Sequence, residues 1–299
     1  MHVLEGMEGK VAIITGAGRG LGRSEAVEYA REGAKVVVND FAPPGAENPA
    51  DTVVAEIRDA GGDALAHTGD VADWDTAKGL VQLAVDTYGS LDILVNNAGI
   101  LRDRMLFNMS EEEWDAVIRV HLKGHFCTMR HAGEYWRDKS KAADGPVYGR
   151  IINTSSEAGL LGSAGQANYS AAKGGIIQLT LVAAQGLGRY GVNANAIAPR
   201  ANTQMTESLG GFDAKEGDFE VFATDNVSPL VAYLGSPQAA KVTGQVFIVY
   251  GRQITVLAGP TADTQFEVTD HWTPDNVADV LTPFYAGRAP LRDGMLMKY

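Results

Sequence analysis

A chain of 299 residues with an apolar fraction of 45% is long enough for one large α/β domain or two small ones. Its formal net charge of −12 argues against nucleic acid or an anionic membrane as a general partner, so an anionic ligand has to be held by local geometry. The single cysteine, Cys127, excludes an internal disulfide and a cysteine metal cluster; with no signal-peptide pattern and no apolar run of the ~18 residues a membrane helix needs, the expectation is a soluble cytoplasmic protein.

The first predicted element is the apolar run 10–15, which leads into Thr15-Gly16-Ala17-Gly18-Arg19-Gly20-Leu21-Gly22 and then a helix ending near Gly33. A strand that breaks into glycines and restarts as a helix is a dinucleotide site: the first glycine lets the strand turn, the others admit a pyrophosphate, and the helix N-terminus faces it. Gly16, Arg19, Gly20, Leu21 and Gly22 are the candidate contacts. The next strand, 35–40, closes on Asp40, where an acid reads the adenosine ribose hydroxyls and repels a 2′-phosphate, which favours NAD over NADP. A proline-rich loop over 41–50 precedes a helix over 51–60 with Val53, Val54 and Ile57 inward, stopped by Gly61-Gly62.

A weak strand over 64–67 leads to Asp70-Val71, and Asp73 caps a helix whose stripe of Ala77, Leu80, Val81, Ala84, Val85 and Tyr88 packs on the sheet. A strand over 91–95 ends in Asn96-Asn97-Ala98-Gly99, where small residues let a cofactor ribose approach and the amides tie strand ends together. Ser110 and Glu113 form a capping box that starts a helix at Glu111, along which Trp114, Val117, Ile118, His121, Leu122 and His125 share the inward face.

The apolar run 147–152 precedes Ser156, at the carboxyl end of a strand, where open parallel sheets bind ligands. Tyr169 and Lys173 follow, four apart in an alanine-rich helix and so on one face, where an ammonium makes a neighbouring phenol more acidic. The stretch 174–187 is apolar or small nearly all round, a helix buried on more than one side. A strand over 192–198 ends in Pro199; residues 202–222 read as a substrate lid, with an ordinary surface loop as the alternative; a helix spans 228–234 and a strand 245–250. Beyond Gly251, residues 254–258 are a further edge strand, and Thr273-Pro274-Asp275 starts a helix bearing Val277, Val280 and Leu281.

Thr15 to Gly22, Asn96 to Gly99, Ser156, Tyr169 and Lys173 together resemble the signature set of the short-chain dehydrogenases/reductases, in family order and spacing. The likeness narrows through Val38-Asn39-Asp40, Val120-His121-Leu122-Lys123-Gly124, Gly165 to Lys173 and Ala198 to Thr206 to the (3R)-hydroxyacyl-CoA dehydrogenase units of multifunctional enzymes type 2 and their bacterial single-domain relatives, over roughly residues 8 to 250. It implies an α/β, Rossmann-type, doubly wound seven-stranded parallel sheet over 1–251; residues 252–299 lie beyond the likeness as a C-terminal extension, expected to cover a neighbouring subunit or rim the substrate entrance, with simple packing on the domain as the alternative.

The resemblance further implies a homodimer or homotetramer and an NAD-linked oxidation of a 3-hydroxyacyl-CoA or sterol-derived alcohol to a ketone, with no metal. Tyr169 takes the hydroxyl proton, Lys173 lowers the phenol pKa and holds the nicotinamide ribose, and Ser156 hydrogen-bonds the substrate oxygen. Asp70 and Val71 border the adenine, Asn97, Ala98 and Gly99 the ribose, and Pro199 and Thr203 the nicotinamide. His121 stands where the family usually has an asparagine that serves a proton relay, so it is either a relay member or a buried structural histidine. Arg19 pulls toward NADP, against Asp40; Arg102, Arg104 and Lys123 are candidates for a CoA phosphate. The competing readings are an NADPH-dependent 3-oxoacyl-carrier-protein reductase and a catalytically silent cofactor-binding subunit.

Overall fold

Runs such as Val11-Ala12-Ile13-Ile14 and Ile93-Leu94-Val95 carry no polar alternation, so they form strands only where both faces are covered. The structure, a computed structural model, describes residues 4–203 and 219–288, and in it every residue of β1 (Val11–Thr15) and β4 (Ile93–Asn96) is buried. With β2 (Lys35–Asp40), β3 (Asp63–Thr68), β5 (Gly149–Thr154), β6 (Val192–Pro199) and β7 (Val246–Tyr250) they make one sheet, parallel throughout, in the order β3-β2-β1-β4-β5-β6-β7. The order reverses direction between β1 and β4, and that switch point opens the crevice in which such sheets bind ligands.

Helices cover both faces. On one side α1 (Gly20–Arg31), α2 (Pro49–Asp59) and α8 (Ser228–Gly235) bury Ile14, Val36, Val38 and Val231; on the other α3 (Trp74–Tyr88), α5 (Gly124–Ala142) and α7 (Ala167–Leu187) bury Ile13, Val37, Leu80 and Trp136, with the single turn α6 (Ala158–Leu161) between β5 and α7. Trp136 is fully buried and its indole N–H donates to the Leu91 carbonyl at 2.7 Å, which pins α5 to the start of β4. The predicted caps form: Asp73 accepts from the Thr76 N–H, and the Ser110/Glu113 box opens α4 (Glu111–Ile118).

The further edge strand expected over 254–258 forms, at 253–256, and joins the seven as an eighth. β8 (Gln253–Val256) turns back from β7 and pairs with it antiparallel, Tyr250 against Gln253 and Phe247 against Val256. Gly251, at φ +53, makes the two-residue turn that this hairpin needs. The start of the expected extension therefore continues the main sheet. Farther on, α9 (Pro274–Ala286) begins at a capping box between Thr273 and Asn276, and Phe266 packs edge-on against its Phe284; no residue of α9 is buried. One face of α7 is likewise open, with Ala171, Gln178, Val182 and Gln185 exposed. No described helix is long and apolar enough to cross a membrane. The central part of the expected lid, 204–218, lies outside the described residues.

Candidate active site

The carboxyl ends of β1 and β2 build one half of the crevice. Gly16 sits at φ +61, and a Cβ on it would stand 2.7 Å from the Cα of Ala98, so a side chain there would push the two loops apart. Asn97 locks the same junction: its Nδ2 donates to the carbonyls of Thr15 and Gly16, while the N–H groups of Asn97 and Ala98 donate to the Thr15 hydroxyl at 3.0 and 3.2 Å. α1 starts at Gly20 with exposed Arg19 before it, which contributes no side-chain cap, so its first N–H groups remain for a ligand.

Asp40 ends β2 with both carboxylate oxygens held, Oδ2 by the Gly18 N–H at 2.7 Å and Oδ1 by the Phe41 N–H at 2.7 Å. A Cβ on Gly18 would lie 2.6 Å from that Oδ2. An uncapped helix start, a turn bare of side chains and a fixed carboxylate at the next strand end fit a dinucleotide cofactor. Asp70 accepts from the Ala72 N–H at 2.8 Å and pairs with Arg119, and buried Val71 packs where a Cβ on Gly124 would fall, so this pair borders the crevice with its polar atoms already engaged. Thr203 closes toward the glycine turn, its methyl 3.4 Å from the place of a Cβ on Gly20; Pro199 ends β6 beside it.

Ser156, Tyr169 and Lys173 meet on the other side of the switch point. The Lys173 ammonium lies 5.4 Å from the Tyr169 ring centroid and donates to the Thr154 carbonyl at 2.6 Å, while the Ser156 hydroxyl is near enough to the phenol to favour its ionised form. Lys173 is 2% exposed, and burial pulls its amine down to about 7. Tyr169 is partly exposed, yet desolvation around its hydroxyl pushes the phenol up to about 12, with the Ser156 hydroxyl pulling the other way. The sequence reading takes the ammonium as the dominant influence on the phenol. Here desolvation of both groups outweighs it.

His121 lies inside a π-helical turn, Arg119–Lys123, that separates α4 from α5 and bends the inward face toward the crevice. Its ring stands edge-on to Tyr169 with centroids 5.3 Å apart, and its Nε2 meets the Ile100 backbone, 3.0 Å from the nitrogen and 2.8 Å from the oxygen. Burial, with the Lys173 charge adding to it, holds the imidazole well below its usual range, so it stays neutral. Its Nδ1 is buried with no hydrogen-bond partner among the described residues.

Several residues that hold the site were not among those singled out from the sequence. Asn168, buried next to Tyr169, donates to the carbonyls of Arg102 and Glu113, both at 3.0 Å, and so fixes the start of α7. The Ser155 hydroxyl donates to the Lys173 carbonyl at 2.8 Å. Glu157 and Arg200 form an ion pair across the crevice end. The available signal is a polar residue beside Ser156, Tyr169 and Pro199: Ser155 and Glu157, Asn168, and Arg200. Of the basic candidates, Arg104 is taken by Glu113 at 2.8 Å, and Lys123 lies near Asp73 and Cys127; the Arg102 guanidinium donates to the Leu101 carbonyl.

Known proteins resemble this chain over most of its length. A family model described as short chain dehydrogenase matches residues 10–213. A hydroxyacyl-CoA dehydrogenase, ChsB1, of Mycobacterium tuberculosis is 53% identical over 289 residues, covering 95% of this chain and 91% of its own. Peroxisomal multifunctional enzyme type 2 of Mus musculus is 43% identical over 232 residues, 76% of this chain and 30% of that much longer protein. The crystal structure of a short chain dehydrogenase from Mycobacterium avium superposes with a TM-score of 0.86 at 52% identity, covering 96% of this chain and 98% of that one.

Proposed function

Because the chain belongs to the short-chain dehydrogenase family and so is an oxidoreductase of CH–OH groups that uses a nicotinamide cofactor, we propose that it oxidises the hydroxyl of a 3-hydroxyacyl-CoA, straight-chain or sterol-derived, with NAD. The observation that carries this reading is the placement of three side chains together: the Ser156 hydroxyl favours ionisation of the Tyr169 phenol, and the Lys173 ammonium lies 5.4 Å from the same ring. Tyr169 takes the substrate hydroxyl proton, and Ser156 holds the same oxygen as it becomes a carbonyl. When bound, the nicotinamide accepts the hydride and adds a positive ring that favours phenolate. Lys173, anchored on the Thr154 carbonyl, neutralises the phenolate and reaches for the ribose. His121 enters as a neutral positioning group, with its unpartnered Nδ1 available to a relay water.

Gly16, Gly18, Gly20, Leu21 and Gly22 would cradle the pyrophosphate, and Asp40 the adenosine ribose. The test is a panel of straight-chain 3-hydroxyacyl-CoA thioesters against free hydroxysteroids, each with NAD and NADP. The expected outcome is the highest kcat/KM for a thioester with NAD, and an Asp40→Ala variant that loses about tenfold with NAD and gains with NADP. Preference of the parent protein for NADPH and an acyl-carrier-protein thioester would replace this reading.

The open faces of α7 and α9 support assembly into a homo-oligomer, with the extension against a neighbour. Removal of residues 261–299 is expected to lower the assembly state seen by sedimentation or to widen the substrate range. If both are unchanged, the extension has neither role.

A further inference from the structure

Glu157 directly follows Ser156, and Arg200 directly follows Pro199, so each sits one residue from a group at the reacting end of the crevice. The guanidinium grips the carboxylate with two parallel bonds, Nε to Oε2 at 2.5 Å and Nη2 to Oε1 at 2.8 Å. Both side chains are largely withdrawn from water, 10% exposed for Glu157 and 25% for Arg200. A paired charge in such surroundings contributes fixed geometry more than stability, because desolvation offsets most of the attraction.

The pair is the middle of a longer strut. The Arg200 guanidinium lies over the Tyr250 ring, 4.5 Å from its centroid, and that ring stacks on Phe222 at 6.1 Å with the planes 15° apart. Backbone bonds brace both ends: Arg200 N–H donates to the Val249 carbonyl at 3.0 Å, and Asn202 N–H to the Phe222 carbonyl at 2.6 Å. The carboxyl ends of β5, β6 and β7 and the segment at Phe222 are thereby linked through side chains rather than through the sheet. At the Ser156 end, the Ala158 N–H donates to the serine Oγ at 3.2 Å and the Gly159 N–H to the serine carbonyl at 2.9 Å, so displacement of Glu157 moves the turn that aims the hydroxyl.

We infer that Glu157 and Arg200 are positioning residues for the reaction: their fork, stacked on Tyr250, sets the Ser156 hydroxyl against the Tyr169 phenol. The inference rests on the reading of Ser156 as the group that holds the substrate oxygen. A lysine at 200 keeps the charge but has neither the planar fork nor the stacking face.

The experiment is a double-mutant cycle in the full-length enzyme, with Arg200→Lys and Glu157→Gln each made alone and in a Ser156→Ala background, using the best thioester from the substrate panel. Each single variant is expected to lower kcat about tenfold, with KM and the dissociation constant for NAD changed less than about threefold. In the Ser156→Ala background the same changes are expected to cost less than about twofold, because the hydroxyl they position is gone. Melting curves and the measured fraction of NAD-binding sites exclude partial folding as the cause. An equal loss in both backgrounds, no loss in either, or a loss confined to NAD affinity overturns the inference. Unchanged activity of Ser156→Ala alone overturns the proposed role of the serine and this inference with it; a large loss there combined with full additivity removes only the positioning role.

Discussion

Tyr169→Phe is expected to lower kcat for alcohol oxidation by about a thousandfold while the dissociation constant for NAD changes by less than about threefold. The phenylalanine ring keeps the edge-on contact with His121 and the hydrophobic surface of the parent residue, so what is lost is one hydroxyl. That hydroxyl is the group the Ser156 side chain acts on, and the Lys173 ammonium stands 5.4 Å from the centre of its ring. Because the phenol stands at about 12 in the protein alone, the phenolate fraction rises about tenfold per pH unit below that value, and kcat/KM for oxidation is expected to climb with pH. The variant is expected to lose that climb along with the rate. A residual kcat within tenfold of the parent would assign the proton to another group.

Glu25→Gln is expected to stabilise the protein, increasingly so as pH rises. Glu25 lies on the buried face of α1 at 0% exposure, and neither carboxylate oxygen has a hydrogen-bond partner among the described residues. Burial raises its carboxyl to about 8, against 4.5 for an ordinary glutamate. Between those two values the folded chain holds a proton that the unfolded chain has released. Stability therefore falls as pH rises through the window, on the order of 1 kcal/mol per unit, is fully present below it, and is lost at its upper end. Glutamine copies the neutral acid and cannot ionise, so the difference between the two unfolding curves should be near zero at about pH 4.5 and largest at about pH 8. Denaturant midpoints at both ends of the window measure it, and a pH-independent difference would mean that Glu25 finds a cation or water when folded.

The glycine turn, Asp40, the Asn96 to Gly99 run and the Tyr169/Lys173 pair were legible because each is a local pattern. A strand, a bare turn and a helix start follow one another in sequence, and residues four apart on a helix share a face whatever surrounds them. The same holds for the caps at Asp73, Ser110 and Thr273, which need only the residues within one turn. His121 was legible as inward but not as part of a π turn, since that widening depends on what α4 and α5 pack against and not on helix periodicity.

By itself the sequence determined which side chains are the candidates for the chemistry, because their order and spacing are written into contiguous elements. The tertiary structure decided how those groups are poised. Desolvation sets the Lys173 amine near 7 and the Tyr169 phenol near 12, and it arises from elements far apart in the chain, which no local window contains. Closure of the Arg200 and Glu157 fork over 43 residues of chain is also a product of strand order, as is the antiparallel pairing of the expected edge strand with β7. Long-range neighbours, burial and charge partners become defined only when the parallel sheet assembles, and at that step a recognisable motif acquires its working electrostatics.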